Sequence, residues 1–383
     1  MLSYVLKRIL WFVPTLFAVT IIGFILLANA PGDPLNILSN GAKASGNIEE
    51  QKTFWRKKLG LDLPLFYFSI TTLSEPDTLY KVYDEQQLNT IKEDIKEHGG
   101  YKNYIPKIIW YGYHNQYHQW LFGGAYSKGI VRGDFGISYI KKEPVIAILK
   151  DKLIWSVFFS IVSIILAYVI SIPIGIKLAE KPDSRTSKIT QLTLFLLYSM
   201  PSFFVGVLLL MLLANPDVLS IFPPSGIKPI EGYDDHASLL SKFIDSFPYM
   251  ILPMICYTYS SLAFISKLTA TSINEQLHLD YIKTARAKGL SENKIIWKHA
   301  LKNSVLPLIT VFSAVFPSII GGSVIIESIF TVPGMGLETV KAIVSQDYPI
   351  VIAVITLSSV LTVFSYLLAD IVYAWVDPRI RNK

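Results

Sequence analysis

Two histidines spaced four residues apart are the part of this chain that most resembles a metal site. On a helix, His114 and His118 would lie on one face, where both imidazole rings could reach the same divalent cation. Zinc-type sites take three or four protein ligands, however, and only two are visible here. The surrounding side chains are aromatic, which is typical of a belt at a membrane interface or of a docking surface: Trp110, Tyr111, Tyr113, Tyr117 and Trp120. We therefore predict no metal site.

The sequence shows neither a catalytic constellation nor a nucleotide-binding motif. Its six histidines form no convincing triad, and the G-x-x-x-x-G-K-[S/T] phosphate loop of ATPases does not occur. We predict that the chain is not an enzyme and holds no cofactor, so that energy for any transport must come from another subunit. A polytopic membrane enzyme remains an alternative interpretation.

Composition and apolar patterning indicate a membrane protein. Hydrophobic residues make up 51% of the chain and charged residues 17%, a balance that does not suit a soluble chain of this length. Six uncharged runs are long enough, at about 20 residues, to cross a bilayer as helices: 9–30, 154–176, 189–214, 249–266, 305–326 and 350–375. The first exceeds the apolar core of a signal peptide, so we expect it to be retained. These runs predict an all-α polytopic protein with six transmembrane helices.

Ionisable side chains are missing from the middle of all six runs. Asp370 lies near the end of the last run and is the exception. Ion-coupled transporters generally need ionisable groups at membrane depth. A secondary transporter or channel remains an alternative, which uptake driven by a gradient without ATP would support.

The distribution of lysine and arginine predicts the orientation. Positive residues near span ends are retained in the cytoplasm, and here they cluster before the first run, between the second and third, between the fourth and fifth, and after the last. Both termini are therefore predicted to be cytoplasmic, and 31–153, 215–248 and 330–349 to face outward. Because much of the net charge of +6 lies in these flanking segments, it requires no nucleic-acid partner.

The segment between the fourth and fifth runs has the pattern of a docking element. Residues 280–307 read DYIKTARAKGLSENKIIWKHALKNSVLP, with lysines and arginine alternating with apolar contact positions. Gly289 is expected to end a first helix in the left-handed conformation, and Ser291 to cap a second. The pattern predicts a helix, a glycine turn and a helix.

This segment closely resembles the cytoplasmic coupling loop of ABC importer permeases of the dipeptide and oligopeptide branch, in which a run like TARAKGLSE precedes an alanine-containing helix and a leucine-proline pair. Lys283 and Thr284 depart from the acid and two alanines that begin this loop in the wider superfamily, and Asp280 is expected to take the acidic role. Other stretches carry the same resemblance, including GDFGIS at 133–138, IGGSVIIESIF at 320–330 and PGMG at 333–336. About 330 residues are covered.

The resemblance implies a function and a set of partners. The chain would form half of the pore of an ATP-driven importer in the bacterial inner membrane. It would work with a second homologous permease subunit, two ATP-binding subunits that carry ATP and Mg, and an extracytoplasmic solute-binding protein. The cargo would be peptides or related small solutes, with a nickel-chelate importer of the same family as the alternative.

The resemblance also assigns site residues. Those expected to couple to the ATP-binding subunit lie in a loop at about 269–304: Asp280, Thr284, Ala285, Arg286, Ala287, Lys288, Gly289 and Leu290. Those expected along the translocation path lie in the third and fifth runs and just beyond: Ser199, Pro201, Ser318, Gly321, Gly322, Ser323 and Glu327.

The chain divides into three predicted regions. Residues 1–30 hold the cytoplasmic N-terminus and first span, 31–153 form an extracytoplasmic region, and 154–383 form the permease core. Within the second region, about 72–119 is an insert that matches no family pattern, and we predict that it is α-rich.

The single cysteine, Cys256, excludes an intrachain disulfide. Apolar residues at three- and four-residue spacing from 144 to 153 predict an amphipathic helix before the second span.

Overall fold

The computed structural model describes residues 2–28, 48–58, 60–72, 104–124, 127–229 and 237–376, with positions 89, 90, 93 and 100. The chain forms two compact units. The first, the helical unit, consists of Met1–Gly23, Ala147–Ser345 and Ile350–Lys383. The second, the insert unit, consists of Phe24–Ile146 and Gln346–Pro349.

Long helices account for most of the helical unit. In chain order they are α1 (Leu2–Ala28), α4 (Val145–Glu180), α5 (Arg185–Ser199), α6 (Ser202–Leu209), α7 (Leu239–Leu277), α8 (Asp280–Ala287), α9 (Glu292–Lys294), α10 (Leu301–Gly321), α11 (Val324–Ile329), α12 (Met335–Val344) and α13 (Tyr348–Val376). A π-helical turn, Leu210–Ala214, extends α6, and another, Ile295–Ala300, joins α9 to α10. α1 ends in the insert unit, and α4 and α13 begin in it.

The membrane-crossing helices agree in part with the six predicted runs. Within the described residues, three helices are long and apolar enough to cross a bilayer: α4, α7 and α13. A fourth is obtained if α5 and α6 with its π turn form one span bent by 95°. The apolar part of α1, at 12–26, falls short by this measure, and the fifth predicted run is interrupted at Gly322, between α10 and α11.

The bend between α5 and α6 has a local cause. Pro201 cannot donate a backbone hydrogen bond and restricts the residue before it to extended conformations, which ends α5. Met200 accordingly takes an extended conformation, and its carbonyl oxygen accepts a hydrogen bond from the Tyr259 hydroxyl at 2.8 Å. The Tyr259 hydroxyl of α7 thus satisfies a carbonyl that the break leaves outside the helix.

Two of the apolar clusters in the helical unit pack the helices around the candidate site. The larger joins α4, α6, α7 and α11 through Phe159, Val205, Leu252, Tyr259 and Ile326. The smaller packs the last turns of α4 and α7 against α8 and the π turn that follows α9. For apolar helices in a bilayer, such clusters stabilise the unit through van der Waals packing between helices, since lipid is as apolar as the side chains themselves.

The insert unit contains a sheet that we did not predict. β1 (Phe68–Thr72) pairs antiparallel with β2 (Pro106–Trp110), with Phe68 opposite Trp110 and Thr72 opposite Pro106. Of the predicted α-rich insert 72–119, the described part therefore includes the last residue of β1, all of β2 and the first turn of α3, and the strands are favoured by their β-branched and aromatic residues. Helix occurs in α2 (Ile48–Lys58) and α3 (Gln116–Phe122). Most of 73–103 lies outside the described residues.

Aromatic packing builds the core of the insert unit. Tyr117 is fully buried, and its ring centroid lies 5.3 Å from that of Phe24 and 5.1 Å from that of Phe66. Such rings bury large apolar areas and favour edge-on contacts. In the absence of a disulfide, this cluster supplies the burial that a small unit needs.

A buried carboxylate organises the loop that precedes α4. Asp347 is 2% exposed and accepts hydrogen bonds from the hydroxyl of Ser138 and from the backbone N–H of Tyr139 at 2.9 Å. Burial, together with the nearby Asp347, raises the pKa of the Tyr139 phenol to about 12. The end of the GDFGIS stretch and the two residues after it thus converge on one carboxylate, through the Ser138 hydroxyl and the backbone N–H groups of Tyr139 and Ile140.

The amphipathic pattern at 144–153 is correct, but it does not form a separate helix. These residues are the first turns of α4, which continues unbroken to Glu180. Val145, Ile148 and Leu149 are buried as their spacing predicts. No glycine or proline separates them from the span, so nothing ends the helix there.

Candidate functional site

The α8 segment presents a polar face and anchors itself by the opposite one. Ile282 and Ala285 are buried in the smaller cluster with residues of α4 and α7, and Leu290 packs at its edge. The remaining predicted coupling residues are exposed: Asp280, Thr284, Arg286, Ala287, Lys288 and Gly289. The structure therefore divides the predicted set. Ala285 and Leu290 hold α8 to its own chain. The other six are exposed, with Asp280 paired to Lys283 and Arg286 to Glu292.

The predicted glycine turn is confirmed. Gly289 has φ +78°, its N–H donates to the Arg286 carbonyl at 2.9 Å, and the Leu290 N–H donates to the Ala285 carbonyl at 3.3 Å. These two bonds form a Schellman motif, which satisfies the last carbonyls of the helix. A Cβ at Gly289 would meet nothing within 4 Å, so only the backbone conformation requires glycine.

An ion pair that we did not predict spans this turn. The Arg286 guanidinium donates to the Glu292 carboxylate through Nε at 2.7 Å and through a terminal nitrogen at 3.1 Å. This hydrogen bonding lowers the pKa of Glu292. Both side chains are about half exposed, so the pair contributes at most about 1 kcal/mol. A bidentate contact nevertheless restricts the angle between α8 and α9.

The predicted cap of the second helix is confirmed in position only. Ser291 is the N-cap of α9 in an extended conformation, but its side chain makes no capping hydrogen bond. Its carbonyl instead accepts the N–H of Ile295, which continues the helix into the π turn. Ile295 and Ile296 are buried there against the smaller cluster.

Glu327, predicted to line the path, is fully buried and fully bonded. Its carboxylate accepts hydrogen bonds from the hydroxyls of Ser156 at 2.9 Å and Tyr257 at 3.1 Å, and from the backbone N–H of Leu337 at 2.8 Å. The Ser156 hydroxyl also accepts the N–H of Met335 at 2.7 Å. This side chain ties α4, α7 and the start of α12 to α11 and is not available to a passing solute.

Two glycines make room for that carboxylate. A Cβ at Gly322 or at Gly334 would collide with the Glu327 side chain, and Gly322 also has φ +58°. One glycine in each of IGGSVIIESIF and PGMG, Gly322 and Gly334, is therefore explained by the close approach of backbone to a buried acid.

A cavity lined by hydroxyl groups lies beside this acid. It encloses about 260 Å³ between α4, α6, α7 and α11; we call it the serine cavity. Its hydroxyl-bearing residues are Ser160, Ser163, Ser202, Tyr257, Ser260, Ser261 and Ser323, and Gly322 also lines it. Of these, Gly322 and Ser323 were predicted path residues. Within the described residues, no group accepts from or donates to the side chains of Ser160, Ser202, Ser260 and Ser261.

The other predicted path residues lie elsewhere. Ser199 donates its hydroxyl to the Phe195 carbonyl at 2.9 Å, and Pro201 is the exposed N-cap of α6. The side-chain surroundings of Ser318 and Gly321 lie outside the described residues. Sequence reasoning missed Ser160, Ser163, Ser260 and Ser261. Their signal was available, because each pair interrupts an otherwise apolar span.

The two histidines do not share a helix face. Asn115 is the N-cap of α3, and its side chain accepts the His118 N–H at 2.8 Å, so His114 precedes the helix. His118 instead lies with its Nδ1 3.0 Å from the Tyr67 hydroxyl. His118 thus lies within an aromatic cluster, the interpretation that the sequence favoured over a metal site.

Comparison with known proteins agrees with this geometry. Residues 171–382 match the family described as binding-protein-dependent transport system inner membrane component. The oligopeptide transport system permease protein AppB of Bacillus subtilis is 31% identical over 99% of both chains. The peptidoglycan transport system permease protein YejB of Agrobacterium fabrum is 30% identical over 99% of this chain and 98% of its own. The glutathione transport system permease protein GsiC of Escherichia coli is 28% identical over the whole of both chains.

Proposed function

The chain belongs to the family of binding-protein-dependent transport system inner membrane components, and we propose that it forms one half of the pore of an ABC importer for peptides or related small solutes. The observation that carries this proposal is the exposed polar face of α8, held by a buried apolar face to the ends of two membrane helices. The peptide-type cargo is supported by the oligopeptide and glutathione permeases that it resembles.

The proposed assembly places the energy source on other chains. A second homologous permease subunit completes the pore, two ATP-binding subunits dock on the α8 segments, and a solute-binding protein delivers cargo from outside. This chain carries no cofactor of its own, and ATP and Mg bind to the partner subunits. The exposed residues of α8 offer hydrogen-bond and charge contacts to a groove on the ATP-binding subunit.

The packing of α8 supports a mechanism of coupling. Ile282 and Ala285 contact a cluster that includes Ile176 on α4 and Ile273 on α7. The same two helices carry Ser160 and Ser260 of the serine cavity. Because packed interfaces transmit displacement as rigid bodies, a movement imposed on α8 by ATP-driven closure would displace α4 and α7 and reshape the cavity.

The chemistry of the serine cavity suits transient contact with a polar solute. Hydroxyl groups donate and accept hydrogen bonds without carrying charge. They can replace water around a peptide group while holding no ionised side chain tightly. A path that binds weakly at several points allows the solute to leave as readily as it enters.

The proposed topology has six spans with both termini in the cytoplasm and an extracytoplasmic insert between the first two. α4, α7, α13 and the bent pair α5 and α6 would supply four of them. α1 would supply another, and α10 with α11 the sixth.

ATP-dependent uptake tests the proposed function. The chain would be reconstituted in proteoliposomes with its partner permease, ATP-binding subunits and binding protein, and supplied with labelled oligopeptides. We expect uptake into the vesicles only when ATP is enclosed in the vesicle lumen and the binding protein is present outside. Uptake driven by an ion gradient without ATP would reject the proposal in favour of a secondary transporter.

A further inference from the structure

One exposed face of α7 carries polar side chains along the inner part of the helix. Ser260, Phe264, Lys267, Thr271 and Asn274 follow one another at spacings of four, three, four and three, which places them in one stripe. Four of the five are polar. A polar stripe on a membrane helix that faced hydrocarbon would be costly, so it is expected to face water or protein.

The stripe borders two cavities of the helical unit. Ser260 lines the serine cavity, whereas the other four line a larger cavity of about 800 Å³ between α5 and α7. Lys267 lies about 10 Å along the helix from Ser260 and about 15 Å from the end of α7, where the chain turns into α8. The larger cavity is therefore on the α8 side of the serine cavity.

Among the described residues, Lys267 is the only charged one that lines the larger cavity. Its other polar lining groups are neutral, among them Gln191, Tyr198, Thr271 and Asn274. Within the described residues, no carboxylate pairs with Lys267. An unpaired ammonium in a partly apolar cavity attracts anions more strongly than it would in open water.

We propose that Lys267 is a solute-binding residue for an anionic end group, a carboxylate, at the inner part of the path. This inference rests on the proposed function and deepens it. Hydroxyl groups of the serine cavity contact the uncharged part of the solute, and the ammonium of Lys267 then attracts its carboxylate toward the α8 side. The ordinary alternative is a lysine that only marks the cytoplasmic end of the span.

Uptake of paired peptides distinguishes the two. The complete reconstituted complex would be given one oligopeptide with a free C-terminal carboxylate and the same peptide as its C-terminal amide. For each peptide, uptake by Lys267→Gln is divided by wild-type uptake, which removes any preference of the binding protein. We expect Lys267→Gln to lower uptake of the acid about 10-fold relative to the amide and Lys267→Arg to restore most of it. Lys177→Gln, which removes an exposed lysine at the end of α4, should leave the ratio unchanged.

Two results would overturn the inference. Equal losses for acid and amide would leave Lys267 with a topological role only, while the proposed function would stand. Absence of ATP-dependent uptake by the wild-type complex for both peptides would reject the proposed function and the inference with it.

A thiol assay covers the case in which Lys267→Gln does not assemble. Thr271→Cys, one turn from Lys267, would be made with Cys256→Ala and treated with anionic and cationic methanethiosulfonates. Adding Lys267→Arg should keep the preference for the anionic reagent, and adding Lys267→Met should lower it about 3-fold or more. An unchanged preference in the Lys267→Met protein would show that the lysine does not create an anion-attracting site.

Discussion

At the residue scale, Gly289 is the position where a single side chain should separate membrane insertion from coupling to the ATP-binding subunit. Its φ of +78° disfavours any Cβ, and a β-branched residue most of all. We expect Gly289→Val to cost about 1 kcal/mol or more locally, while the membrane helices, whose hydrophobicity is unchanged, still insert. The protein should reach the membrane at near-normal level, with ATP-subunit association and transport reduced.

Gly289→Asn is the matched control, because asparagine tolerates the left-handed region. It should retain most coupling. Transport and ATPase activity in reconstituted complexes measure both variants. If Gly289→Val behaved as wild type in both assays, the turn would not orient α8 for the partner.

Glu327 is the residue whose position in the structure differs most from its predicted role on the translocation path. Removing its carboxylate in Glu327→Ala leaves the donors of Ser156, Tyr257 and Leu337 without their acceptor, at about 1–3 kcal/mol for each unsatisfied group. We expect a clear drop in the temperature at which detergent-solubilised protein loses its tertiary structure. Glu327→Gln keeps an acceptor of similar shape and should lose less. Equal unfolding temperatures for the alanine variant and wild type would contradict the network.

Prediction of single residues succeeded where the local backbone determines the structure and failed where contacts with distant residues determine it. Gly289 is constrained by its own turn, and the run around it identifies the turn. The direction of the Glu327 side chain depends on Ser156 and Tyr257, which lie 171 and 70 residues away in sequence. No local pattern contains that information.

At the element scale, deletions within the insert unit test which of its elements stabilise it. Since Thr72 pairs with Pro106, the chain between them begins and ends at neighbouring points. We expect that replacing 73–105 by a linker of about four Gly and Ser residues keeps the sheet, because closing a shorter loop costs less entropy. Stable expression and a retained aromatic core, measured by near-ultraviolet circular dichroism, would agree.

The matched comparison replaces 72–119 by the same linker. This change also removes β2 and Tyr117, which is fully buried, so it should destabilise the unit. Equal stability of the two proteins would show that the sheet and Tyr117 do not support it. Unchanged transport by the protein that lacks 73–105 would mean that this stretch has no part in cargo delivery.

Helix prediction was most accurate where apolar runs are long and least accurate where they are interrupted. The runs in α4, α7 and α13 identify the helices, since length and hydrophobicity suffice. Pro201 causes the bend locally, but the Tyr259 hydroxyl that satisfies the Met200 carbonyl comes from another helix. The break at Gly322 accommodates the buried Glu327, and apolarity alone indicates neither interruption. The strands β1 and β2 went unpredicted because five-residue segments pair only with partners remote in sequence.

At the scale of the whole molecule, the six-span topology predicts which surfaces face outward. In a Cys256→Ala background, cysteines at Lys188 and Asn293 should resist an impermeant thiol reagent in intact cells, and a cysteine at Tyr104 should react. All three positions are exposed in the structure, so a cysteine at each would be accessible to reagent on its own side of the membrane. Reaction at Asn293 from outside would overturn the topology.

The central claim is that the exposed face of α8 is where an ATP-binding subunit docks. Its most direct test is thiol labelling of single cysteines at Thr284 and Ala287 in detergent-purified protein, with and without the ATP-binding subunits. We expect both positions to become protected on assembly, while a cysteine at Lys188 stays reactive. Equal labelling of Thr284 and Ala287 in the free chain and in the assembled complex would contradict the claim.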